Sequence, residues 1–137
     1  MTQDQRDESI RKHVLYLLRG GGAHLSFDDF VKSFPPDLCN RQVEGLPYTP
    51  WQVLEHMRLA QWDILEFSRD ASHVSPDFPK GYWPKPDELG NPTLWQQTIE
   101  KFRNDLHRWK RSWKIRPPIY TRRFRTETGK RSCAKRF

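Results

Sequence analysis

Thr49-Pro50-Trp51-Gln52-Val53-Leu54-Glu55-His56-Met57-Arg58-Leu59-Ala60-Gln61-Trp62-Asp63-Ile64-Leu65-Glu66-Phe67-Ser68-Arg69-Asp70 is the stretch on which the fold turns. The Thr49 hydroxyl can cap a helix. Pro50 suits the first helical position, where no partner needs its N–H, and Gln52 stands three residues after the cap, where its amide can reach back. No Gly or Pro interrupts the run, so the helix is predicted to extend to about Asp70. At about 100° per residue, Val53, Met57, Ala60, Ile64 and Phe67 form one apolar stripe, predicted to face the core. His56 and Asp63 lie beside its edge, one above the other and two turns apart.

The flanking sequence repeats the pattern of helices closed by punctuation. Residues from about Gln5 to Arg19 place Ile10, Val14, Leu17 and Leu18 on one face, and Gly20-Gly21-Gly22 ends that helix. Ser26-Phe27-Asp28-Asp29 starts a short helix that ends near Phe34 and Pro35-Pro36. A long connection from Ala71 to Gly90 surrounds Gly81-Tyr82-Trp83-Pro84. A last helix starts at Asn91-Pro92 or Thr93, with Leu94, Trp95, Thr98, Phe102 and Leu106 as its stripe. No segment alternates at period two and no internal repeat is visible, so the class is all-α.

At 137 residues the chain allows one domain. Its hydrophobic fraction of 35% is low, but large aromatic side chains supply much buried area each. An apolar run of about 18 residues is lacking, as is a basic-apolar-small pattern at the N-terminus. We therefore expect no membrane span, no signal peptide and, by default, a cytoplasmic location. Cys39 and Cys133 form no metal spacing. There is no HExxH, GxSxG or Cys-His nucleophile pair, and Gly20-Gly21-Gly22 follows a helix where a phosphate cradle would open one.

Charge divides the chain sharply. Residues 1–107 hold 12 Lys plus Arg against 16 Asp plus Glu, whereas residues 108–137 hold 12 basic residues against the single acid Glu127. Such a tail reads in one way as a nucleic-acid-binding arm. Arg122, Arg123, Arg125, Lys130 and Arg131 would meet phosphates, with Trp109, Trp113, Tyr120 and Phe124 stacking on bases. The plainer form of that reading is a disordered tail that binds polyanions without specificity. A change of reading frame near Leu106 to Trp109 is the other explanation. In the neighbouring frame the code forces glutamate at Trp109-Lys110 and again at Trp113-Lys114, and it permits E-D-P and then L-Y-A-P-I-P-H-G-N-G-Q-T-I-L-R-E-A-L. That string is a polar loop entering an amphipathic helix.

Candidates for chemistry are few. A lone His beside an apolar stripe, as His56 is, is more often a satisfied boundary residue than a metal ligand, and Asp63 is more often a solvated or capping carboxylate. His24, in Gly22-Ala23-His24-Leu25-Ser26-Phe27, either fixes its loop or reaches the same pocket. His13 sits among charged neighbours on the first helix, and His73 and His107 have no partner at ligand spacing.

Gly22 to Asp29, Leu46-Pro47-Tyr48-Thr49-Pro50-Trp51-Gln52-Val53-Leu54-Glu55-His56-Met57-Arg58, Gln61-Trp62-Asp63-Ile64-Leu65 and Tyr82-Trp83-Pro84 together resemble the DinB-like superfamily of bacterial four-helix bundles. The resemblance covers residues 5 to 107, and the block from Trp51 to Asp63 is its specific part. It implies an up-down-down-up bundle and commonly a homodimer. It also implies a divalent metal, nickel or zinc, held by three histidines for transferase, isomerase or hydrolase chemistry, in some members with a thiol. His56 matches one ligand position, and Trp51, Asp63 and His24 are its candidate pocket neighbours. The other two ligands come from a His-x-x-x-His on the last core helix, and no His follows His107. The shifted frame yields the family's loop and the opening R-E-A-L of that helix. The preferred reading is thus a partial DinB-like bundle over 1–107 whose last core helix is missing or replaced by the tail at 108–137, with catalysis not expected. A bundle lacking one helix leaves apolar stripes facing water, which predicts a marginal, aggregation-prone or dimer-dependent fold. A third reading is a catalytically inert interaction protein that keeps the bundle's dimer face.

Overall fold

The computed structural model describes residues 2–20 and 22–115. Among them the chain is all-α, with no strand. It forms α1 (Gln3–Leu18), α2 (Phe27–Ser33), α3 (Pro50–Arg69) and α4 (Pro92–Ile115), plus short 3-10 turns at Pro36–Leu38 and Lys80–Tyr82. Among the described residues no helix is long and apolar enough to cross a membrane.

Local chemistry sets the helix starts. The Thr49 hydroxyl accepts from the Gln52 backbone N–H (3.3 Å), and the Gln52 side-chain oxygen accepts from the Thr49 N–H (3.0 Å), closing a capping box. Thr2 and Gln5 form a second box at the head of α1, two residues earlier than the spacing predicts. Ser26 caps α2 through the Asp29 N–H (3.1 Å), and Asn91 accepts from the Leu94 N–H (2.9 Å) at the head of α4.

The principal packing is α3 against α4, with α1 laid on α4. Trp51, Leu54, Gln61, Leu65 and Ser68 form the buried face of α3, and Trp95, Thr98, Ile99, Phe102 and Asp105 answer from α4. Val31 of α2 and Cys39 close one end of this core, with Phe27 and Phe34 packed against it. The Phe27 ring stacks on Phe102 (4.0 Å between centroids) and Phe34 on Trp95 (4.7 Å). Polar clasps add direction. Gln61 donates to the Phe102 carbonyl (2.8 Å), Thr98 donates to Glu55 (3.2 Å), and Arg108 joins Glu66 (2.8 Å) and Asp105 (2.9 Å).

Three expectations need correction. The stripe Val53, Met57, Ile64 and Phe67 is exposed; the face that packs on α4 is turned about one residue, or about 100°, around the helix. Leu65 is 0% exposed and Ile64 50%. On α1, Ile10 and Leu17 are likewise exposed, because α4 alone is its main neighbour. Finally, α4 runs without interruption through His107 to Ile115, and Trp109 and Trp113 continue its stripe as half-buried residues. The change in charge between residues 107 and 108 therefore falls inside a helix.

Candidate functional site

The long connection between α3 and α4 folds back onto the middle of α3, and Asp63 holds it there. The buried Asp63 carboxylate accepts from the Tyr82 hydroxyl (2.6 Å) on one oxygen and from His73 Nε2 (2.7 Å) on the other. Ser75 adds a further hydrogen bond. All three donors come from the loop. Burial pushes the Asp63 carboxyl up, but the bonds from Tyr82, His73 and Ser75 outweigh it and hold the group below its ordinary range. The same bond to Asp63, then burial, raises the Tyr82 phenol, which therefore stays protonated as the donor. Trp62 sets its ring edge-on to His73, with centroids 5.4 Å apart.

Tyr82 connects this anchor to His56. Its backbone carbonyl lies 2.7 Å from His56 Nδ1, and since a carbonyl only accepts, Nδ1 carries the proton. The lone pair is thereby placed on Nε2, which has no hydrogen-bond partner among the described residues. The imidazole stacks on Trp83 with centroids 3.8 Å apart and planes 2° from parallel, and Tyr48 stacks on Trp83 at 3.9 Å. Ring position, tilt and tautomer of His56 are all fixed, which is what an outer shell does for a metal-ligating imidazole.

The structure brings His56 and Asp63 into one network but leaves the other expected neighbours elsewhere. Trp51 is a core residue, beneath Gly90 and among Val31, Cys39 and Leu54, so it is no pocket wall. His24 is exposed and lines a different cavity, of about 370 Å³, with Leu17, Phe102 and Lys110. Asp63 is neither solvated nor a cap. Arg122, Arg123, Arg125, Lys130 and Arg131 lie outside the described residues. Sequence spacing gives no sign of His73, Ser75 and Tyr82 as partners of Asp63, because they reach it across a loop, 10 to 19 positions away, and no helical spacing encodes that. The only signal was the Tyr82-Trp83-Pro84 cluster.

His56 fits a divalent metal in tautomer and orientation. The donor set does not, because no group of three or more His, Cys, Asp or Glu among the described residues could hold one.

Fold and site together define an all-α protein with a loop clasped to its central helix around a fixed imidazole. The chain is 35% identical over 60 residues to the "Probable 2-heptyl-3-hydroxy-4(1H)-quinolone synthase AqdB2" of Rhodococcus erythropolis, a match covering 42% of this chain and 16% of that protein. No family model matches the chain. No solved structure matches it either.

Proposed function

We propose that this chain is a DinB-like bundle protein in which His56 keeps one position of a three-imidazole metal site, and that it is catalytically inert with that single ligand. The observation carrying the reading is the 2.7 Å bond from His56 Nδ1 to the Tyr82 carbonyl, which leaves Nε2 free to ligate. The sequence block from Trp51 to Asp63 and the all-α architecture support it. In an intact member, three imidazoles, one of them at the position of His56, would hold nickel or zinc, which would supply Lewis-acid chemistry. Here Asp63, through Tyr82, positions the remaining imidazole. The missing pair would lie in a neighbouring reading frame. A homodimer built on the exposed face of α3 belongs to the same proposal.

The synthase activity in the Rhodococcus protein's name belongs to a chain of which the match spans 16%, and 60 residues are near the lower limit of a domain. Nickel titration followed by NMR tests the His56 assignment. The reading expects weak binding that broadens the His56 imidazole first and disappears in His56→Gln. Equal broadening of all five imidazoles would count against it.

A further inference from the structure

A cavity of about 550 Å³ opens beside the His56 and Trp83 stack, between the turn before α3 and the loop around Pro84. Its volume lies within the range of about 300–1,000 Å³ typical of small-molecule sites. Tyr48, Pro84 and the edge of Trp83, whose two ring faces are taken by His56 and Tyr48, give it apolar walls, and the exposed Lys80 and Lys85 belong to its lining. No acidic side chain lines it, and neither ammonium has an ion-pair partner among the described residues. The Glu88 carboxylate is turned to the Lys85 backbone N–H (3.3 Å) and does not line the cavity. The wall is also braced. Buried Gln52 donates to the carbonyls of Pro86 and Glu88 (3.3 Å each) and Lys85 (3.5 Å), tying the proline-rich loop to the first turn of α3.

Such a cavity favours a ligand with a flat apolar body and one negative charge. The outer face of Tyr48 and the pyrrolidine rings bury the body, while the two lysines of the lining attract the anion without a competing carboxylate. We propose that this cleft is a binding site for a small aryl carboxylate. The site uses Lys80, Lys85, Tyr48 and Trp83, none of which has to hold a metal, so it stands or falls separately from the reading of His56.

The test is a titration of the full chain with naphthoate and, in parallel, with neutral naphthamide, in a buffer containing a metal chelator. Binding is read from the indole N–H signal of Trp83, assigned with Trp83→Phe. Saturable shifts with naphthoate are expected, with naphthamide weaker. In the double variant Lys80→Ala/Lys85→Ala the Kd should rise about tenfold, the combined effect of two partly solvated charges. Both lysines are exposed, so the double variant keeps the fold, which circular dichroism verifies. Leu25→Gln, in the cavity beside His24 that shares no residue with this cleft, should leave the Kd unchanged. The proposal is overturned by no saturable shift in the wild type, by equal affinity for the amide, by an unchanged Kd in the double variant, or by a loss in Leu25→Gln matching the lysine effect.

Discussion

Asp63 does the work of three contacts: it anchors His73, Ser75 and Tyr82 with one buried carboxylate, and through Tyr82 it sets the ring of His56. Asp63→Asn keeps the shape but removes the charge that all three donors need. We predict a loss of about 1–3 kcal/mol in urea unfolding, the cost of weakening buried hydrogen bonds to a charged group. Its pH dependence has a definite sign. The carboxyl is held below its unfolded value of about 3.9, so its contribution is fully present above that pH and is lost as pH falls through the folded value. The urea midpoint of the wild type should therefore drop below about pH 4 more steeply than that of Asp63→Asn. Gly90 poses a steric test: a Cβ there would overlap the Trp51 indole, and Gly90→Ala should cost about 1–3 kcal/mol by the same measurement. At this scale the sequence displayed His56 and Asp63 as neighbours because helical spacing puts them on one edge. It concealed His73 and Tyr82, whose approach depends on the path of a loop with no repeating period.

Helix α3 was legible in its ends and misleading in its face. Thr49, Pro50 and Gln52 announce the start through local hydrogen bonding that needs no tertiary partner, and they form the capping box the spacing predicts. The orientation depends on what lies alongside. Gln61, Asp63 and Ser68 are polar yet buried, with bonds to the Phe102 carbonyl, the loop and the Leu65 carbonyl. A purely apolar stripe therefore pointed about one residue away from the packed face. Paired truncations separate the two faces. Leu65→Ala should cost about 2–5 kcal/mol. Ile64→Ala, at 50% exposure, should stay within about 1 kcal/mol. On α4 the apolar spacing marks Trp95, Thr98 and Phe102, all buried, but gives no sign of Ile99 and Asp105 or of the continuation through Trp109 and Trp113.

For the molecule as a whole, exposed Val53, Met57 and Ile64 sit on one side of its central helix, beside an apolar groove of about 230 Å³ bordered by Phe30 and Leu46. Contiguous apolar surface of this kind is a common site of association. Within the DinB-like proposal it is the face another core helix would cover. Replacing Val53, Met57 and Ile64 together by Gln should therefore reduce self-association in sedimentation while changing the monomer's unfolding midpoint little. The all-α class was plain from composition and periodicity. The abrupt charge change was equally plain, but a single amino-acid string cannot say which reading frame produced it. The most direct measurement is the nucleotide sequence from codon 106 to codon 137 and onward through the length of one more helix, translated in all three forward frames. The account predicts that a neighbouring frame runs open through R-E-A-L into a His-x-x-x-His pair. Stops in both alternative frames, with no such pair, would contradict it and leave the basic segment as the chain's own.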